Sequence, residues 1–324
     1  MSRTPVWSLI AAPLLLAGVA TGCGSSSDGA ADGRPTIVVT TSILGDVVGE
    51  VVGDQAEVVT LMPAGTDPHE FQASAQQANQ LRTADVVVAN GGGLEAGLVD
   101  VLDATAQDGI PVFEALDHVD TLAAGDDHGD EDHAADDGHD HGDVDVDPHF
   151  FTDPGRMAQA VDAMSGFIVD EADGVDAEAI RSNADAYRAE LDQVVADGDA
   201  ALADIPADRR VLVTDHEVFS YLADRFDLEV VGTVIPSTST ADGADARALA
   251  ELADVIRQED VPAIFTGTST SPALAETLAD EVGGEVAVVE LYTGSLGEPG
   301  SDGATYLDAT RSNLDRIAAA LGGS

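Results

Sequence analysis

Histidines and carboxylates are concentrated in one part of the 324-residue chain, residues 126–149. This stretch contains eleven carboxylates and no lysine or arginine, and it includes His128, His133, His139 and His141. It ends in the tripeptide Asp147-Pro148-His149. Neutral imidazole is the commonest protein ligand for divalent transition metals, and carboxylates add negative charge that favours cations. The composition therefore indicates metal handling, while leaving open which metal is bound and how tightly.

Apart from the four histidines of the acidic run, three histidines stand in loops of the predicted scaffold: His69, His149 and His216. His69 ends a second copy of the tripeptide, Asp67-Pro68-His69. The proline of each tripeptide fixes its own φ angle and restricts the preceding aspartate to extended conformations, which lowers the entropic cost of holding the loop. The spacing of the three residues carries no local metal signature, and a lone loop histidine is more often solvated. Their location at strand ends or before a long helix is what makes them candidates.

The first part of the chain alternates β-branched runs with helical patterns. We predict strands at residues 36–41, 56–62, 85–90 and 110–114, with helices at 42–52, 74–83 and 94–107. Such alternation predicts a mainly parallel sheet covered by helices. Residues 126–147 interrupt the rhythm; without apolar periodicity and with high charge, they are predicted to form a disordered loop.

Helices are predicted next at 154–168 and 176–202, and then the alternation returns. Strands are predicted at 210–214, 229–235, 263–267 and 286–291, with helices at 217–226, 244–257, 272–282 and 304–321. We therefore predict an α/β fold with an N-terminal lobe (36–153), linking helices (154–204) and a C-terminal lobe (205–324). Ligands of such sheets lie beyond the carboxyl ends of the strands, where His69 and His216 fall.

The N-terminus has the features of an export signal. Arg3 precedes an apolar run, Leu9 to Ala20, that is too short for a permanent membrane span. The run closes on Ala20-Thr21-Gly22-Cys23, which resembles a bacterial lipoprotein signal. We predict a signal peptide at 1–22, a lipid on Cys23 and a flexible tether at 23–35. The alternative is an ordinary cleaved signal with an incidental cysteine. Either way the protein is exported.

Composition limits the possible partners and sites. All 13 basic residues are arginine, against 61 acidic residues, and the formal charge is −48. Nucleic acid is therefore excluded as a partner, because phosphate binding needs clustered positive charge. Cys23 is the only cysteine, so the mature body can form neither an intramolecular disulfide nor a cysteine-based zinc site.

Several motifs together resemble the metal-specific solute-binding lipoproteins of bacterial ABC uptake systems, the zinc and manganese group. The resemblance covers residues 36 to 317. It rests on TTSILGDVVGEVVGDQAEVVTLMPAGTDPHEF, ADVVVANGGGLE, VDPHFFTDP, TDHEVFSYLADRF and GSLGEPGSDGATYLDATRSN. It implies a two-lobed α/β protein with a rigid linking helix and one metal between the lobes.

The resemblance also implies which residues bind the metal. His69, His149 and His216 match the three histidine ligands of the family, and the acidic segment with His128, His133, His139 and His141 matches the loop common in zinc-type members. We interpret that segment as weak auxiliary zinc capture; the alternative is a solvated linker. The implied protein is a monomer, held at the membrane by lipid, that passes Zn²⁺ to a membrane permease.

One departure from the family affects the choice of metal. Many relatives have a carboxylate ligand where this chain has Gly294, and Asp242 is the nearest match to an acidic residue of manganese-type members. Three histidines plus water suit zinc, whereas manganese prefers harder oxygen ligands. The sequence therefore favours zinc, with Glu70, Glu217 or water in the fourth position.

Other functions remain as alternatives. One is capture of manganese or iron, and another is a zinc buffer or adhesin without a transporter. Three histidines with an open water position also occur in zinc hydrolases. That arrangement needs a general base, and the chain contains no H-E-x-x-H motif. We therefore predict a binding protein and not an enzyme.

Overall fold

Two four-stranded parallel sheets form the framework of the protein. The computed structural model describes residues 33–125, 146–283 and 286–322, and residues from Arg34 onward belong to one compact unit. The predicted signal peptide, Cys23, most of the tether and the four histidines of the acidic segment lie outside the described residues. None of the described helices is both long and apolar enough to cross a membrane.

The first sheet carries the N-terminal lobe. Its strand order is β2-β1-β3-β4, all parallel, with β1 at Thr36–Val39, β2 at Glu57–Thr60, β3 at Val86–Ala89 and β4 at Val112–Glu114. The helices of this lobe are α1 (Ser42–Val52), α2 (Ala75–Arg82) and α3 (Val99–Gln107). Thr41 caps α1 by accepting from the backbone N–H of Leu44 at 3.2 Å.

The second sheet repeats this order as β6-β5-β7-β8 and is also parallel. Its strands are β5 (Val211–Thr214), β6 (Glu229–Thr233), β7 (Ala263–Gly267) and β8 (Ala287–Leu291). The helices are α6 (Ser220–Phe226), α7 (Ala246–Gln258) and α8 (Ala273–Val282). Val, Ile and Phe fill the central strands because both faces of a parallel sheet are covered by helices.

Two long helices join the lobes: α5 (Ala177–Leu202) and, near the C-terminus, α9 (Tyr306–Gly322); the helix before them, α4 (Pro154–Glu171), packs in the core of the first lobe. The 26 residues of α5 give it a length of about 39 Å. Its buried residues from Ile180 to Leu191 pack in the core of the first lobe, and Val194 and Leu202 pack in the core of the second. The predicted two-lobed α/β fold is confirmed. Most of the strands are shorter at their ends than predicted.

The described residues on either side of 126–145 pair with each other. Val146 pairs antiparallel with Ala123, and the backbone N–H of Asp147 donates to the carbonyl of Leu122 at 3.0 Å. Asp147 is buried. Residues 146 and 147, predicted as the end of the loop, therefore already belong to the folded lobe, and the residues before them, 126–145, are not described.

Candidate metal centre

Three histidines from distant parts of the chain converge between the lobes. His69 lies in the loop after β2, His149 lies just before α4, and His216 follows β5. One ligand nitrogen from each lies within 4.8 Å of the others. The exposed fractions of the three residues are 7%, 0% and 2%. Within the described part of the chain, this is the only group of three or more potential ligands that could hold a metal ion.

A buried carboxylate orients His149. Oδ1 of Asp147 accepts from the backbone N–H of His149 at 2.9 Å and lies 2.7 Å from its Nδ1. Burial raises the pKa of Asp147, but its interactions with His149 lower that pKa more, to below its usual value. An ionised carboxylate only accepts hydrogen bonds, so Nδ1 carries the proton and Nε2 keeps its lone pair.

His216 has a similar clamp from the other lobe. Oδ1 of Asp215 lies 2.8 Å from Nδ1 of His216, and its Oδ2 accepts from the backbone of Gly267 and the hydroxyl of Thr270. Burial raises the pKa of Asp215, and these hydrogen bonds lower it further than burial raises it. The Nε2 lone pair of His216 is therefore also available toward the centre of the cluster.

His69 is positioned by its backbone. Its N–H donates to Oδ1 of Asp67 at 3.0 Å, so this aspartate holds the backbone of His69 and not its ring. Its Nε2 lies 3.3 Å from Nε2 of His149. Because two facing lone pairs repel each other, a proton or a cation between these nitrogens makes the contact favourable.

Burial keeps the cluster neutral. It lowers the pKa of His69 to about 3, and the neighbouring His149 and His216 lower it as well. Burial also lowers the pKa of His149, and Asp147 offsets only part of that effect. Imidazole must be unprotonated to bind a metal, so the site is prepared for a cation. The buried Asp147 and the partly buried Asp215 behind the rings would balance the charge of a divalent ion.

The distance between the rings fits a tetrahedral ion. Two nitrogens each about 2.05 Å from a tetrahedral zinc are about 3.3 Å apart. The Nε2 atoms of His69 and His149 have this separation, 3.3 Å. The three ring centroids lie 5.3 to 5.6 Å apart, so the third ring approaches as closely as the other two.

The residues considered for a fourth ligand do not join this group. Glu70 is exposed, and Asp242 accepts from the hydroxyl of Ser237 within its own loop. At Gly294, an added Cβ would stand 2.7 Å from Cδ of Pro68. A carboxylate at residue 294 would therefore displace the tripeptide that carries His69. In the described chain the ligand group consists of histidines alone.

The sequence analysis missed the roles of Asp147 and Asp215. The signal was present, because an aspartate stands one or two positions before each of the three histidines. Tyr221 was also missed: its hydroxyl donates to the carbonyl of Asp147 at 2.6 Å. This contact ties the loop of His149 to the helix that follows His216.

Comparison with known proteins identifies the family. Residues 37–320 match the family model described as "ZnuA: Zinc-uptake complex component A periplasmic". The chain belongs to this family. It is therefore an extracytoplasmic metal-binding component of an ABC metal-uptake transporter.

Individual relatives differ in the metal that their names record. The chain is 30% identical to a zinc-binding protein, TroA, of Treponema pallidum, over 96% of this chain and 98% of that protein. It is also 30% identical to a manganese-binding lipoprotein, MntA, of Bacillus subtilis, over 97% and 98%. A solved structure of the Treponema protein superimposes with a TM-score of 0.78 at 28% identity, covering 89% of this chain and 99% of that one.

A manganese-bound protein from Candidatus Liberibacter asiaticus shares the fold, with a TM-score of 0.75 at 20% identity over 89% of this chain and all of that one. Membership of the family therefore establishes metal binding, and the named relatives include both zinc and manganese proteins. The choice between these metals depends on the site itself.

Proposed function

We propose that this protein captures Zn²⁺ outside the cytoplasm, using His69, His149 and His216 as ligands, and delivers it to the permease of an ABC transporter. The observation that carries the proposal is the convergence of three buried imidazoles, two of them clamped through Nδ1 by aspartates. Such carboxylate–histidine pairs orient a ring toward a metal and raise the basicity of the coordinating nitrogen.

Zinc is favoured over manganese by the chemistry of the donors. Three neutral nitrogens form a soft, small set that suits tetrahedral zinc, whereas manganese prefers more oxygen ligands. The contact of Gly294 with Pro68 leaves no room for a carboxylate at that position. A water molecule would complete the tetrahedron. The similarity to the manganese-binding MntA makes manganese the alternative cargo that a test must include.

Attachment to the membrane is a separate part of the proposal. The first 22 residues are proposed to be a lipoprotein signal, after which Cys23 carries lipid and residues 23–35 tether the protein. Two relatives, MntA of Bacillus subtilis and AdcA of Streptococcus pneumoniae, are named lipoproteins, which supports this assignment. We further propose that the protein acts as a monomer, because one chain supplies all three ligands.

The decisive experiment is elemental analysis of the mature protein together with competition titrations of zinc and manganese. We expect one tightly bound zinc per chain and weaker binding of manganese. His216→Ala should lose the tight zinc, whereas His118→Ala, in which the changed ring stacks on Phe113 outside the site, should keep it. Tight zinc in His216→Ala would overturn the ligand assignment, and tighter manganese than zinc would overturn the choice of metal.

A further inference from the structure

The two identical tripeptides use their aspartates differently. In Asp147-Pro148-His149, the carboxylate clamps the ring of its own histidine at 2.7 Å. In Asp67-Pro68-His69, Oδ1 accepts only from the backbone of His69, and Oδ2 accepts from the hydroxyl of Thr240 at 2.7 Å. Thr240 belongs to the other lobe, in the loop between β6 and α7. The first aspartate therefore makes a contact across the cleft in place of a contact with its own ring.

The loop of Thr240 is fixed to the loop of His216. The backbone N–H of Ile235 donates to the carbonyl of Asp215 at 2.8 Å. The backbone N–H of Glu217 donates to the carbonyl of Ser237 at 2.9 Å. These bonds are made by the residues immediately before and after His216. The contact between Thr240 and Asp67 thus connects the loops of two proposed ligands from opposite lobes.

The other end of the His69 loop is held in place at Gly65. The backbone N–H of Gly65 is held by Oγ of Ser295 at 2.9 Å and by the carbonyl of Leu296 at 3.1 Å. Gly65 has a φ of 78°, in the left-handed region that glycine adopts without strain. Between Gly65 and His69, the loop is bonded to the other lobe through the side chain of Asp67, which accepts from Thr240.

We propose that Thr240 and Asp67 form a latch that holds His69 in the closed site, and that opening this latch lets His69 leave the metal first and release it. The inference rests on the proposed function, since it takes His69 as a ligand. Two observations support it: His149 and His216 have clamped rings, whereas His69 is held through the backbone of its loop. Thr240 is thus a positioning residue for cargo release, acting through Asp67.

The test measures the rate of zinc dissociation from the loaded mature protein, using an excess of a chromogenic chelator. Thr240→Val removes the hydroxyl and keeps the shape of the side chain, and we expect about three- to tenfold faster release, because a hydrogen bond to a carboxylate is lost. Thr240→Ser keeps a hydroxyl and should release zinc at the wild-type rate. Thr277→Val is the matched control, since its hydroxyl bonds only within α8.

A double-mutant cycle separates the latch from general destabilisation. In an Asp67→Ala background, Thr240→Val should change the release rate no further, because its partner is already absent. The latch would be overturned if Thr240→Val released zinc at the wild-type rate, or if it accelerated release as much in the Asp67→Ala background as in the wild type. Failure of the proposed function gives a different result: His69→Ala would then retain tight zinc.

Discussion

The Nε2 atoms of His69 and His149 lie 3.3 Å apart across a sequence separation of 80 residues. The loops that bring them together have no regular secondary structure at the histidines, so their geometry depends on side-chain contacts with the surrounding lobes. For His149 that contact is Asp147, and for His216 it is Asp215.

Neutralising the clamp of His149 should weaken zinc binding with little effect on folding. In Asp147→Asn, the amide oxygen can still accept from His149, but the charge that makes the ring more basic is lost. The hydroxyl of Ser220, which hydrogen-bonds to Asp147, can rotate to accept from the new NH₂ group, so that group keeps a partner. We expect about tenfold weaker zinc binding, measured by chelator competition.

Asp215→Asn is the matched comparison and should also destabilise the fold. Its Oδ2 accepts from the backbone N–H of Gly267 at 2.8 Å, and an amide NH₂ at that position would face another donor. An unsatisfied buried donor costs about 1–3 kcal/mol. Urea denaturation of the metal-free proteins should therefore show a lower free energy of unfolding for Asp215→Asn than for Asp147→Asn. Equal stability of the two variants would contradict this account.

Adding a carboxylate at residue 294 should not convert the site to manganese. The Cβ of Gly294→Asp would stand 2.7 Å from Pro68, and relief of such overpacking costs about 1–3 kcal/mol. Because Pro68 precedes His69, we expect zinc affinity to fall about tenfold in Gly294→Asp and also in the control Gly294→Ala. Titrations with zinc and manganese check this. Wild-type zinc affinity in Gly294→Ala would show that the contact is unimportant.

The metal-free protein should lose stability as the pH falls. The pKa of His69 is lowered to about 3, so the folded protein does not protonate this ring at pH 5, whereas the unfolded chain, with a histidine pKa of about 6.5, does. The unfolded state then binds more protons, and stability falls from pH 6.5 toward 3. Between pH 7 and 5 we expect His69 to contribute about 1–2 kcal/mol of this loss.

His69→Gln isolates that contribution. Asp147 and Asp215, whose pKa values are lowered in the fold, also lose their stabilising effect as the pH falls, and they do so in both proteins. The urea midpoint of His69→Gln, measured in the presence of a chelator, should therefore depend less on pH than that of the wild type. If the urea midpoints of the two proteins depended equally on pH, the role of His69 would be refuted.

Removing residues 126–145 should leave the buried site intact. Ala123 pairs with Val146, so the two ends of the deletion lie side by side and a short glycine–serine turn can join them. We expect zinc titration to show one tight equivalent in both proteins and additional weak equivalents only in the full chain, from His128, His133, His139 and His141. Unchanged stoichiometry would mean that the segment is only a linker.

The fold was predictable because its strands and helices carry strong local patterns. The run Val86–Ala89 is largely valine, and Ala263–Gly267 is centred on Ile264 and Phe265; both runs are buried, and each is a central strand in the structure. The alternation of such runs with helices identifies a parallel sheet without any tertiary information. Ends were less predictable: helix 94–107 begins as a 3₁₀ turn, Ala96–Leu98, because Gly93 and Gly97 do not favour α-helix.

The candidate ligands were predicted, but their support was not. Identical tripeptides give no local reason why Asp147 should clamp its histidine while Asp67 bonds to Thr240, 173 positions away. Only the tertiary structure brings Thr240 to one tripeptide and Tyr221 to the other. The steric role of Gly294 likewise depends on Pro68, which approaches it from the opposite lobe.

The two linking helices α5 and α9 determine how the protein unfolds. Each contributes residues to both hydrophobic cores: α5 through Leu191 and Val194, and α9 through Tyr306 and Leu314. If one lobe unfolded, the half of each helix that packs in its core would be exposed to water, and the helix would no longer be held for the other lobe. Despite having two sheets, the chain should therefore denature as one cooperative unit, and neither lobe expressed alone should persist as a folded fragment.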